Sequence, residues 1–109
     1  MKIKDNSIRV DFTPQLIFGL AKFEKVYTEV TGFEPIITSG SEQSTKHSAT
    51  SLHYSGNAAD IRSRTILDVA KQTIIDIFKE DMTIDFDLIL EGEGTENEHF
   101  HLEYQPKRR

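Results

Sequence analysis

Four histidines carry the most chemistry in this sequence: His47, His53, His99 and His101. None falls in either stretch whose apolar spacing reads as a helix; all sit in a central polar segment or close to the C-terminal end. A chance scatter would place some on the helices, so the placement asks for a reason. The chain has no cysteine, which excludes disulfides and thiolate ligands together, and any transition-metal site has to be built from His, Asp and Glu. Those donors suit a catalytic zinc, which keeps one position open, better than a structural one.

Two segments hold candidate ligands. In Ser51-Leu52-His53-Tyr54-Ser55-Gly56-Asn57-Ala58-Ala59-Asp60, His53 and Asp60 are seven positions apart. A continuous strand would hold them too far apart to share an ion. Gly56-Asn57 is a turn dipeptide that folds the chain back, and Ala58 and Ala59 let the backbone close up beside a metal. Spacing alone leaves a second reading open, a surface histidine near a surface aspartate. In Glu98-His99-Phe100-His101-Leu102-Glu103-Tyr104, strand alternation sets His99, His101 and Glu103 on one face and the aromatic and leucine side chains on the other. The aromatic face reads as core. On the histidine face three readings stay open: both imidazoles bind a metal, one binds while the other orients substrate, or neither does more than meet solvent.

The elements that must position these residues follow from the apolar pattern. Residues 8–12 alternate apolar and polar, which predicts a short strand. Thr13-Pro14 reads as an N-cap with proline in the first helical turn. Leu16, Ile17, Leu20, Phe23, Val26, Tyr27 and Val30 follow at helical spacing as a core stripe, and Gly32 closes the helix. A buried strand is expected over 35–39, then a long polar loop over 40–51, of the kind that in small domains is functional or disordered. A strand over 58–62 precedes a second helix, capped by Ser63 and running to about residue 80, with Ile66, Leu67, Ala70, Ile74, Ile77 and Phe78 buried. A strand over 87–91, an acidic turn and a strand over 99–104 complete the chain. The class this predicts is α+β, a small antiparallel sheet with two main helices.

Ser51-x-His53-x-x-Gly56-x-Ala58-x-Asp60 resembles, at every fixed position, the SxHxxGxAxD signature of the zinc D-Ala-D-Ala peptidases. That family takes in D,D-carboxypeptidases, D,D-dipeptidases and the L-alanyl-D-glutamate endopeptidases of phage lysins. Glu98-x-x-His101 resembles the family's second signature, an acidic residue three positions before a histidine on the final strand. Ile37-Thr38-Ser39-Gly40 is similar to the strand and turn that lead into the family's active-site loop. The resemblance implies the fold shared by hedgehog proteins and D,D-peptidases, and one Zn2+ ion held by His53, Asp60 and His101. It makes Glu98 the general base and acid, with a peptidoglycan stem peptide as substrate. Glu91 is the competing carboxylate, while Glu93 and Glu96 read as solvated turn residues.

One position departs from the pattern. Many family members carry an arginine in an SGxR motif, taken to stabilise the developing oxyanion, and this chain has Ser39-Gly40-Ser41-Glu42. A glutamate cannot supply positive charge to that step. His47, Arg62 and His99 are the candidates to replace it, with Ser51 also near the ligands. A competing expectation is a zinc-binding module of the same fold that does no hydrolysis, and a third is a metal-free protein. With 109 residues the chain fits a single domain over 1–109, 37% hydrophobic and 28% charged. A net charge of −5 argues against a nucleic-acid partner, and the basic tail Lys107-Arg108-Arg109 reads as a solvated terminus. No apolar stretch reaches the ~20 residues of a membrane span. The polar start predicts no signal peptide, hence synthesis in the cytoplasm and action at the cell wall after release, as suits a phage product.

Overall fold

Thr13 and Pro14 start the first helix as their chemistry dictates. In the computed structural model, which describes residues 1–42 and 51–107, the Thr13 hydroxyl accepts from the Leu16 amide at 3.2 Å, and Pro14 sits where its missing N–H costs nothing. Helix α1 (Pro14–Thr31) ends at Gly32, whose φ of 76° is left-handed and whose N–H returns to the Thr28 carbonyl. Leu16, Leu20, Phe23, Val26 and Tyr27 are buried along one face. Ile17, expected in the same stripe, is 53% exposed, because one residue beyond Leu16 is a rotation of about 100° off that face.

Five strands form one sheet in the order β1-β2-β3-β5-β4: β1 (Lys2–Ile3), β2 (Ile36–Ser39), β3 (Ala58–Arg62), β4 (Phe86–Glu91) and β5 (His99–Tyr104). The β2–β3, β3–β5 and β4–β5 pairs are antiparallel, but β1 joins β2 in parallel, so the sheet is mixed where an antiparallel one was expected. Residues 8–12 form no strand. Their backbone bonds go to the turn after β2: the Arg9 amide donates to Glu42 Oε1, the Asp11 amide to Ser41 Oγ, and the Ser41 amide to the Arg9 carbonyl. Side chains take the place of a ladder, so alternation there had no sheet to serve.

Helix α2 (Asp68–Asp81) begins at Asp68 and not at Ser63. The Ser63 hydroxyl is fully buried and donates to Glu98 Oε2, and the helix starts four residues beyond the position next to it. Leu67 precedes the helix without a side-chain cap bond and is exposed, not buried as expected. Ile74, Ile75 and Phe78 supply the buried face. Both helices pack on one side of the sheet, against Ala59, Ile61, Leu88, Phe100 and Leu102. Phe23 meets Phe100 nearly edge-on, with ring centres 5.3 Å apart. Cutting Phe100 back to alanine at this point would cost about 3–5 kcal/mol. Alternation leaves Asp60, Arg62, Glu91, His99, His101 and Glu103 on the opposite face. Among the described residues, no helix is long and apolar enough to cross a membrane.

Candidate metal centre

Register brings the first two ligand candidates together. Asp60 on β3 lies directly opposite His101 on β5, and opposed residues in an antiparallel pair have Cβ atoms about 4.5–5.5 Å apart. Asp60 Oδ1 is 2.8 Å from His101 Nδ1. His53 arrives from the loop before β3. Its approach depends on Gly56, which has a φ of 76° and lies so close to the N-terminal segment that a Cβ would come within 2.3 Å of the Asp11 carbonyl oxygen. The Gly56 carbonyl accepts from the Thr13 amide, and the Thr13 hydroxyl donates to Asn57 Oδ1, which docks the turn on the start of α1. His53, 3% exposed, ends with Nε2 at 3.3 Å from Asp60 Oδ1 and its ring centre 5.3 Å from that of His101.

The nitrogens on the far side of these rings are also held. A carbonyl can only accept, so the 2.9 Å contact of His53 Nδ1 with the Gly40 oxygen places the hydrogen on Nδ1 and turns Nε2 to Asp60. His101 Nε2 meets Glu103 Oε1 at 2.9 Å. Carboxylate or carbonyl partners on the outer nitrogen are the usual way a protein orients metal-binding histidines. The ligand atoms of His53, Asp60 and His101 all lie within 4.8 Å of one another and could hold a metal ion; so could those of Asp60, Glu91 and His99.

Charge in the cluster is tightly coupled. Burial pushes the Asp60 carboxyl up, but hydrogen bonds from His101 and His53 and the nearby imidazoles outweigh it and hold the group well below the usual carboxylate range. Burial pushes His101 down, yet the hydrogen bond and charge of Asp60, then Glu103 and Glu91, carry it up to about 9. Without an ion, His101 therefore stands doubly protonated between two carboxylates. A metal bound at Nδ1 has to displace a proton.

The expected catalytic residue lies elsewhere. Glu98 is buried, and its Oε2 accepts from Ser63 Oγ and from Lys71 Nζ, each at 2.7 Å, while Oε1 accepts from the Gly94 amide at 3.3 Å. Ser63 continues the core-facing alternation of Ala59 and Ile61, and Lys71 belongs to α2, so Glu98 is engaged on the helix side of the sheet, away from His101. The Lys71 ammonium first, and the Ser63 hydroxyl second, hold its carboxyl below the ordinary value. Three positions along an alternating chain end on the opposite face, and the turn before β5 does not undo that.

Glu91 stands on the cluster's own face. It is 45% exposed in its side chain, with Oε1 3.0 Å from His99 Nε2 and 3.5 Å from His101 Nδ1. The hairpin register pairs Glu91 with His99, a signal available in the sequence once both strands are aligned. His99 Nε2 also lies 3.6 Å from Asp60 Oδ2, and its Nδ1 bonds the Asn97 carbonyl. Ser51 Oγ accepts from the His53 amide and so shapes the loop. Arg62, two residues beyond Asp60, lines a cavity of about 300 Å3 with Lys2, Tyr27, Phe33 and Thr65. His47 lies outside the described residues. Glu103 and the Gly40 carbonyl, which back His101 and His53, were not singled out by the sequence. No protein-family model matches the chain, and no curated protein matches it.

Proposed function

We propose that this protein is a zinc metallopeptidase that cleaves a peptide bond in peptidoglycan stem peptides, with the fold and chemistry of the D-Ala-D-Ala peptidases. The observation that carries the reading is the convergence of His53, Asp60 and His101, residues of two separate sequence signatures, on the sheet face opposite the helices. Zinc ligands ~2.0–2.2 Å from the ion and set tetrahedrally lie about 3.3 Å from each other, and His53 Nε2 and Asp60 Oδ1 are 3.3 Å apart. All three donors are of the N and O type that leaves a catalytic ion one open position. Bound there, zinc would supply the Lewis acidity that polarises a carbonyl and makes water a nucleophile near neutral pH.

The chain's own groups divide the remaining work. Glu91 is the carboxylate on the open side, partly solvated and within 3.5 Å of a ligand ring; it takes the proton from the attacking water and returns it to the leaving amine. His99, held at Nδ1 by the Asn97 carbonyl, presents Nε2 between Glu91 and Asp60 and orients Glu91. Gly40 and Glu103 keep the two ligand rings in place.

A second reading, a zinc-binding module without hydrolysis, draws on the commitment of Glu98 to Lys71 and the glutamate at position 42. Incubating the zinc-loaded protein with purified cell-wall sacculi separates the two. New amino termini, with fragment masses that identify the bond, support the peptidase. Zinc bound at one ion per chain with no cleavage supports the module.

A further inference from the structure

The glutamate that stands where the resemblance calls for an arginine is fully employed. Glu42 Oε2 accepts from Ser39 Oγ at 2.6 Å, and Oε1 accepts from the Gly40 amide at 2.8 Å and the Arg9 amide at 3.0 Å. One carboxylate thereby ties the end of β2, the turn after it and the segment before α1 into a single knot. The knot is tight: a Cβ on Gly40 would fall 1.9 Å from the Arg9 carbonyl oxygen, so nothing larger than glycine fits between these two backbones. The Gly40 carbonyl, on the far side of the residue whose amide Glu42 holds, is the acceptor for His53 Nδ1. Burial pushes the Glu42 carboxyl up, but the Ser39 hydroxyl and the Arg9 and Gly40 amides outweigh it, so the ionised form is the one the turn selects.

We propose that Glu42 is a positioning residue for the metal centre: it fixes the Gly40 carbonyl, which holds the His53 ring with Nδ1–H outward and Nε2 turned to Asp60. A guanidinium at position 42 could not do this, since Arg9, Ser39 and Gly40 all present donors and an arginine side chain accepts nothing. The chain has used the position to orient a ligand in place of adding charge at the substrate. The consequence for metal affinity rests on the metal-site reading above; the orientation of His53 does not.

Glu42→Gln tests the idea, because its amide keeps the shape but removes the charge and one of the two acceptor oxygens. Nitrogen-15 correlation spectra of the metal-free protein report whether His53 keeps a protected Nδ1–H. Competition with a chromophoric chelator reports Zn2+ affinity. The expected result is a folded variant in which the Nδ1–H signal is lost to exchange and zinc affinity falls about 10- to 100-fold. A folded variant with the wild-type His53 signal and wild-type affinity overturns the proposal, whatever its melting temperature. If the ring signal changes and neither protein binds zinc, the Glu42–His53 link stands and the metal reading falls. Should Glu42→Gln not fold, Ser39→Ala removes one donor and leaves the carboxylate; it moves both readouts in the same direction by a smaller factor, and no change in either counts against the link.

Discussion

Two carboxylates flank the β4–β5 hairpin, and their surroundings are opposites. Glu98 lies on the helix side, buried, with its oxygens taken by Lys71, Ser63 and Gly94. Glu91 lies on the open side, half exposed, facing the imidazoles of His99 and His101. A carboxylate held by three hydrogen bonds in a buried site, one of them from an ammonium, is costly to disturb and has little freedom to exchange a proton. One in partial contact with solvent and ligands can move a proton in and out. Signature spacing pointed to Glu98; orientation and free valence point to Glu91.

The sharpest way to break this contrast is at the cluster that could hold the ion. His53→Ala should abolish stoichiometric zinc binding and all hydrolysis while leaving the far-ultraviolet circular dichroism of the fold unchanged; zinc retained at one ion per chain on elemental analysis would remove His53 from the centre. Next in size, Glu91→Gln should lower the rate of peptide release about 10²- to 10⁴-fold with zinc still bound. Glu98→Gln should do the reverse, keeping the rate of the folded fraction and costing about 2–3 kcal/mol in urea unfolding, since it weakens a charge-assisted buried pair. If Glu98→Gln is the one that stops cleavage without loss of stability, the assignment of roles is inverted.

A pH titration sharpens the comparison further. The folded-state value of His101 is raised from 6.5 to about 9, so its stabilising effect on the metal-free protein is fully present below pH 6.5. That effect is lost as pH rises through 9. Denaturant unfolding of metal-free protein should show stability falling across this window, by on the order of 3 kcal/mol. Zinc affinity should rise over the same window, because the competing proton leaves. Smallest of all, Glu103→Gln should weaken zinc binding about 10-fold, at the lower end for loss of a group that orients a ligand.

Much of this was legible in the sequence because the signals were local. Thr13, Pro14 and Gly32 delimit α1, and the alternation of 99–104 gives β5 and its two faces without reference to anything else. Ser51 through Asp60 marked two of the three residues that could together hold a metal ion, and the Gly56 turn lies between them. The failures have a common physical origin in distance along the chain. Ser63 looked like a cap, but its side chain is buried against Glu98, 35 positions away, and α2 starts only at Asp68. Residues 8–12 alternated like a strand, but Glu42 and Ser41 bind their amides from 33 and 30 positions on. Lys71 sat in a helix among charged residues, and nothing nearby showed that its ammonium would be buried against Glu98.

Thr13 belongs to the helix and to the loop that carries His53 at once. Its hydroxyl receives the Leu16 amide and gives its hydrogen to Asn57, and its own amide is bound by Gly56. Pinning the loop from the other side, by an ion on His53, therefore also restrains the opening of the first turn of α1. Amide hydrogen exchange at Thr13 and Leu16 becomes a remote gauge of occupancy: protection there should rise when zinc binds, although neither residue touches the ion.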